Sequence, residues 1–152
     1  MAIAFRATGA ALFGVNSITP VIPTAQATGD MMLLLVGGKP FDGAVTVGGW
    51  TQLAEFTDGR VAAGVDVGSM QVTAWYKAAT ADPETDPTMT EGTPAWNVFG
   101  GIVMVFSKDS GESWATPVIV GGGDNTAGTG FSVTAGSDPG VPDGDACVSL
   151  AA

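Results

Sequence analysis

The sequence contains no histidine and a single cysteine, Cys147. The first absence removes the commonest general base and the commonest metal ligand. The second removes disulfides within the chain and every thiolate metal cluster. Charge is also sparse, at 13% of residues against about 25% in an average domain. Only 5 Lys and Arg stand against 15 Asp and Glu, a net charge of -10. The five bases, Arg6, Lys39, Arg60, Lys77 and Lys108, are scattered along the chain. Such a chain repels phosphate backbones, which argues against nucleic-acid binding.

Long hydrophobic runs are missing too. The longest, residues 31–36, has six residues, where a membrane-spanning helix needs about 20. The N-terminus has no basic stretch leading into an apolar core of signal-peptide length. The pattern therefore predicts a chain made in the cytosol, with no membrane insertion.

What is abundant is glycine, proline and small apolar side chains. The 152 residues include 23 Gly and 9 Pro, yet 45% are hydrophobic. A core can be buried, while glycine and proline interrupt any long helix. Short runs of Val, Ile, Leu and Phe recur between Gly, Pro, Asp and Asn, the punctuation of many short strands. The first predicted strand covers residues 2–7. Residues 16–22 read as a strand at a sheet margin, because Pro20 and the following Pro23 cannot donate ladder hydrogen bonds. Residues 31–36 are apolar without alternation, so both faces must be covered, and they are the predicted central strand. Residues 48–56 carry Trp50, Leu53 and Phe56, with a break in alternation near Gln52 that predicts a bulge and with Glu55 facing water.

In residues 70–77, Met70, Val72, Ala74 and Tyr76 share one face and Gln71, Thr73, Trp75 and Lys77 the other, which predicts one buried face and one mixed. Residues 81–94, with three prolines and four acids, read as an exposed loop. Residues 96–106 form a second nearly continuous core strand, in which Gly100 and Gly101 mark a kink or a close backbone approach. Residues 107–114 read as a polar loop, 117–120 and 131–135 as further short strands, and 121–125 as a turn. Residues 138–152 echo 18–36: prolines, then Gly-Asp, then an apolar run that ends the sequence. The expectation is an all-β antiparallel sandwich with little or no helix, a single domain over residues 1–152 that could be the N-terminal portion of a longer chain.

Candidate sites were weighed against ordinary packing. Asp82, Glu84 and Asp86, and separately Asp138, Asp143 and Asp145, are spaced loosely enough to suggest calcium. Neither set has the spacing of an EF-hand loop, so both read as solvated turn acids, and Glu84 and Asp86 together are expected to be dispensable for stability. Paired carboxylates could serve glycoside hydrolysis, but no acid is embedded in an apolar run that would raise its pKa. Gly121, Gly122 and Gly123 lack the Lys-Ser/Thr of a phosphate loop, and Cys147 reads as a small buried hydrophobe. The expectations are no catalytic residues, no metal and no cofactor. Trp50 and Trp75 read as core, whereas Trp96 and Trp114 are candidate contacts for a glycan or partner.

The order of landmarks carries a resemblance: Phe5 beside a Gly/Ala-rich segment, residues 18–23 as Ile-Thr-Pro-Val-Ile-Pro, residues 27–30 as Ala-Thr-Gly-Asp opening an apolar strand, Gly-Gly-Trp-Thr-Gln-Leu at 48–53, Val-Thr-Ala-Trp-Tyr-Lys-Ala-Ala at 72–79, and the apolar run 102–106. This resembles a diffuse family of tailed-bacteriophage virion proteins, often minor tail proteins. The resemblance implies a jelly-roll-like β-sandwich in a non-enzymatic component of the tail tip or baseplate. Such a protein is made in the host cytoplasm and assembled into the virion, with copies of itself and other virion proteins as partners. Two alternatives remain at this level, a capsid decoration or head-fibre protein and a module binding host-surface glycans. Family members commonly continue for a few strands beyond the second Gly-Asp strand.

Overall fold

The computed structural model describes residues 3–39, 45–58, 70–91 and 98–119. Among these every regular element is a strand: β1 (Ile3–Thr8), β2 (Leu12–Gly14), β3 (Ser17–Ile18), β4 (Met31–Lys39), β5 (Val45–Val47), β6 (Thr51–Asp58), β7 (Met70–Ala78), β8 (Met89–Glu91) and β9 (Val98–Lys108). All pairings are antiparallel. The larger sheet has the order β1-β9-β4-β7-β6, with β2 also on β9, and the smaller has the order β3-β8-β5. The described part of the chain is therefore all-β, with two antiparallel sheets.

The apolar run of β4 lies where its composition demands. It pairs along its length with β7 on one edge and β9 on the other, Leu34 lying between Trp75 and Val103. Met32, Leu34 and Val36 point toward the smaller sheet and are fully buried with Val103, Val105 and Phe99 of β9. Ile18, Val45, Val47 and Met89 of the smaller sheet close the same core. Alternate residues face the other way. Met31, Leu33 and Leu35 join Met104, Phe106 and Tyr76 in a second, shallower cluster on the outer face of the larger sheet.

Strand β7 splits into the two predicted faces, with a difference in depth. The polar-looking face is the deeper one: Gln71 and Thr73 are buried beside Trp75, while Val72 and Tyr76 on the outer face are half-buried. The indole N–H of Trp75 donates to the Thr73 hydroxyl at 3.1 Å, which satisfies two polar groups inside the core. The Gln71 amide has no hydrogen-bond partner among the described residues. In β6 the register shifts between Gln52 and Ala54, placing a bulge at Leu53, beside the position where alternation breaks. Glu55 is exposed, as expected.

Two glycines are required by close approach. A Cβ on Gly100 would stand 2.4 Å from the ring of Phe13, and one on Gly101 would stand 2.9 Å from the Met89 sulfur. Gly101 lets the smaller sheet settle onto β9; Gly100 lets the Phe13 ring lie on the backbone of β9.

Several expectations need correction. Residues 16–22 yield only the two-residue strand β3, at the margin of the smaller sheet as expected, because Pro20 and Pro23 end pairing at once. The segment 81–94 is not loop throughout: β8 is the central strand of the smaller sheet and Met89 is fully buried. Strand β2 was hidden by its Gly/Ala-rich surroundings. Residues 117–119 form no strand. Expectations for 131–135, 121–125 and 147–152, and for Trp96 and Cys147, lie outside the described residues.

Leu34 is in contact with both sheets, so Leu34→Ala should cost about 2–5 kcal/mol through lost transfer energy and a cavity, measurable by urea denaturation. Leu34→Asp should give no folded protein, because an unpaired charge there costs more than the chain's marginal stability. A cooperative transition at unchanged midpoint in either variant would refute the placement of β4.

Candidate functional site

Two crossovers between the sheets meet at one end of the molecule. Residues 19–30 lead from β3 to β4 and residues 79–88 lead from β7 to β8. Neither contains regular structure, so their backbone groups need other partners. Side chains supply them. The Asp86 carboxylate accepts the Ile22 N–H at 2.7 Å, and the Thr19 and Thr88 hydroxyls lie 3.4 Å apart. Gln26 is buried and bridges both ways: its Nε2 donates to the Ala81 carbonyl at 2.8 Å and its Oε1 accepts the Glu84 N–H at 2.9 Å.

Glu84 is the hub of this junction. Its Oε2 pairs with Lys77 Nζ at 2.6 Å, and its Oε1 accepts the backbone N–H of Thr80, the Thr80 hydroxyl at 3.0 Å and the Ala81 N–H at 3.1 Å. The Glu84 side chain is only 5% exposed. Burial alone would push the carboxyl up, but the Lys77 ammonium and the donors of Thr80 and Ala81 outweigh it and bring the pKa from 4.5 down to about 2. Donors to the charged form favour ionisation in just this way. The reading of Glu84 and Asp86 as dispensable solvated acids is thereby corrected. Sequence shows acids among prolines; it does not show that Lys77, seven positions upstream, ends its strand pointing back at Glu84.

A second carboxylate organises the start of β4. Asp30 is buried. Its Oδ2 meets Arg6 Nε at 2.9 Å and accepts the Ala27 N–H at 2.8 Å, while its Oδ1 accepts from Arg6 Nη2 at 3.3 Å. Arg6 can reach because β1 shifts register between Phe5 and Ala7, leaving Arg6 as the extra residue of a bulge. Bulges re-aim a side chain in this manner. The Asp30 backbone accepts from Ala79 N–H at 2.8 Å, and Gly29 N–H donates back to the Ala79 carbonyl at 2.9 Å. Gly29 itself has φ of 89°, a conformation glycine tolerates best.

Trp114 docks on this same turn. Its indole N–H donates to the Gly29 carbonyl at 2.7 Å, and its ring packs against the cluster of Met31, Met104 and Phe106. The ring is half-buried. The other candidate contact, Trp96, lies outside the described residues, so the structure does not bring the two together.

Between the crossovers, residues 21–26 and 83–86 enclose an open groove of about 420 Å³. Its walls combine prolines and the half-exposed Val21 with the carboxylates of Glu84 and Asp86. Both Glu84 oxygens are already engaged, so the junction is chemically a clamp. Among the described residues no three Asp, Glu or Cys side chains gather closely enough to hold a metal ion, and no helix is long and apolar enough to cross a membrane.

The clamp makes stability depend on acid. Because the folded pKa of Glu84 lies below its ordinary value, its contribution is full above about 4.5 and fades as pH falls toward about 2. Glu84→Gln should lower stability at neutral pH by roughly 2 kcal/mol, allowing for the water that reaches Lys77, and should flatten the stability profile between those two pH values. Equal acid sensitivity in variant and parent would contradict the clamp. Trp114→Phe, which keeps an aromatic ring but removes the donor and part of the indole's packing surface, should cost at least about 1 kcal/mol by thermal melting; no loss would mean that neither the Gly29 bond nor the packing stabilises the fold.

Compared with family models, with curated proteins and with solved structures, the chain shows no match to any of them.

Proposed function

We propose that this chain is a non-enzymatic structural protein of a tailed-bacteriophage virion, a minor tail component of the tail tip or baseplate that assembles with copies of itself and with other virion proteins. A jelly-roll-like course of the strands belongs to the same reading. What supports it most is where the landmarks of the resemblance fall. Gly29 and Asp30 form the pinned turn opening β4, the Gly-Trp-Thr-x-Leu motif enters β6, and the Thr-Ala-Trp-Tyr-Lys motif is the body of β7. These motifs are scaffold. Such a protein's task is mechanical: a rigid pair of sheets carries loops outward.

The clamp at the crossovers suits that task. Loops tied by ion pairs and backbone-to-carboxylate bonds hold their shape without a large core. No cofactor and no metal enter this reading, and none of the acids is given a catalytic role. The glycan-binding alternative would rest on Trp114 and Trp96, and the half-burial of Trp114 gives it less ring to offer a sugar.

Electron microscopy of intact particles, with antibody raised against the purified chain, tests the proposal. Label at the tail end is the expected result. Label spread over the capsid at lattice symmetry would replace it with the decoration reading, and particles lacking the chain by mass spectrometry would overturn both.

A further inference from the structure

The outer face of the larger sheet is half covered. Trp114 closes the end near Met31 and Phe106, but Leu33, Leu35, Val72, Tyr76 and Ile102 stay half-buried while their neighbours facing the smaller sheet are fully buried. At the rim, β1 and β2 lie end to end along the same edge of β9. Each lifts a phenylalanine onto this face. Phe5 is 59% exposed and Phe13 72%. By the strand registers, the charged positions on this face, Lys39, Asp58 and Lys108, all fall at strand ends. The middle of the face, across β9, β4 and β7, carries no charge, so a second copy laid on it desolvates none there.

The two ends of this edge are complementary. At one end Phe5 stands on edge against Phe106, ring centres 5.7 Å apart. At the other, Gly37 pairs with Gly100, so adjacent strands present no side chain, and with Phe13, Gly38, Lys39 and Val98 they leave a mostly apolar slot of about 190 Å³.

From this geometry we infer that the outer face of the larger sheet is the contact surface of a symmetric homodimer, in which Phe5 of each copy fills the glycine slot beside Phe13 of the other. A two-fold axis lying in the interface and perpendicular to the strands produces this pairing. It keeps the β1/β2 edge over itself and reverses its direction, so the Phe5 end of one copy lies on the slot end of the second. Isologous contacts require such self-complementarity. Five strands at about 4.8 Å spacing and about 30 Å of strand length give roughly 700 Å² per copy, close to the roughly 800 Å² per partner of a standard stable interface. The inference names the self-contact within the virion reading, and it is tested without particles.

Sedimentation velocity of the full chain, from low micromolar to hundreds of micromolar, should show a dimer. Phe5→Asp and Phe13→Asp should each raise the dissociation constant at least about tenfold, with unchanged circular dichroism, since both rings are largely exposed. In a Cys147→Ser background, the pair Phe5→Cys and Phe13→Cys should trap a covalent dimer on mild oxidation, while either cysteine alone should not. A chain that stays monomeric at every concentration overturns the inference, whether the face is vacant or binds some other protein. A dimer indifferent to both aspartates and untrapped by the cysteine pair overturns it equally. A particle-borne chain that sediments as a monomer would sink this contact alone; a dimer absent from particles would sink the virion reading alone.

Discussion

Everything in this structure depends on how the two edges and two faces of β4 are covered. Its edges are saturated by β7 and β9, and its faces are apolar in both directions. A strand whose side chains alternate can bury one face against a second sheet cheaply; burying both requires a second cover. The smaller sheet provides the first with Met89, Val45, Val47 and Ile18. On the other side Trp114 covers only one end. The fold thus begins from a strand more hydrophobic than a free-standing two-sheet structure needs, and the surplus appears as the half-covered outer face.

The second constraint concerns the crossovers. A chain with 23 glycines loses much conformational entropy on folding, and its connections are rich in proline and poor in regular hydrogen bonds. Carboxylates fill that role here. Glu84, Asp86 and Asp30 each accept backbone N–H groups that would otherwise be unpaired, and two of them are neutralised by a base, Lys77 near the end of β7 or Arg6 in the β1 bulge. Three of the few charged residues are thus consumed in holding loops to sheets. That is why Glu84 and Asp86, which sit among prolines like solvated turn acids, instead hold the crossovers together.

How much of this was legible follows from range. The central strand, the bulge beside Gln52, the tight glycines at 100 and 101 and the core positions of Trp50 and Trp75 are written in local pattern, because period and interruption are local properties. Strand β8 was not, since three residues between a Pro-rich loop and Glu91 carry too little pattern to register. The depth of Gln71 and Thr73 was also hidden: polarity suggested the outward face, yet β7 is oriented by Trp75, which must enter the core and carries its alternate neighbours with it. The clamp was least legible of all. Its partners Gln26, Lys77 and Glu84 belong to two crossovers that only the sheet order brings together.

The same logic separates the two candidate surfaces. At the crossover groove, polar groups are already satisfied within the chain, so a ligand there would have to compete with Lys77, Gln26 and backbone donors for the same oxygens, and lost hydrogen bonds are expensive to replace. On the outer sheet face the reverse holds. Lys39 is the one charged residue lining the slot, the flat backbone at Gly37 and Gly100 has no side chain to move, and the exposed rings of Phe5 and Phe13 gain by leaving water. An interface built there draws on apolar area that the fold has already concentrated on one side of β4. The charged positions on this face stand at its strand ends, so its centre can be buried without desolvating a charge.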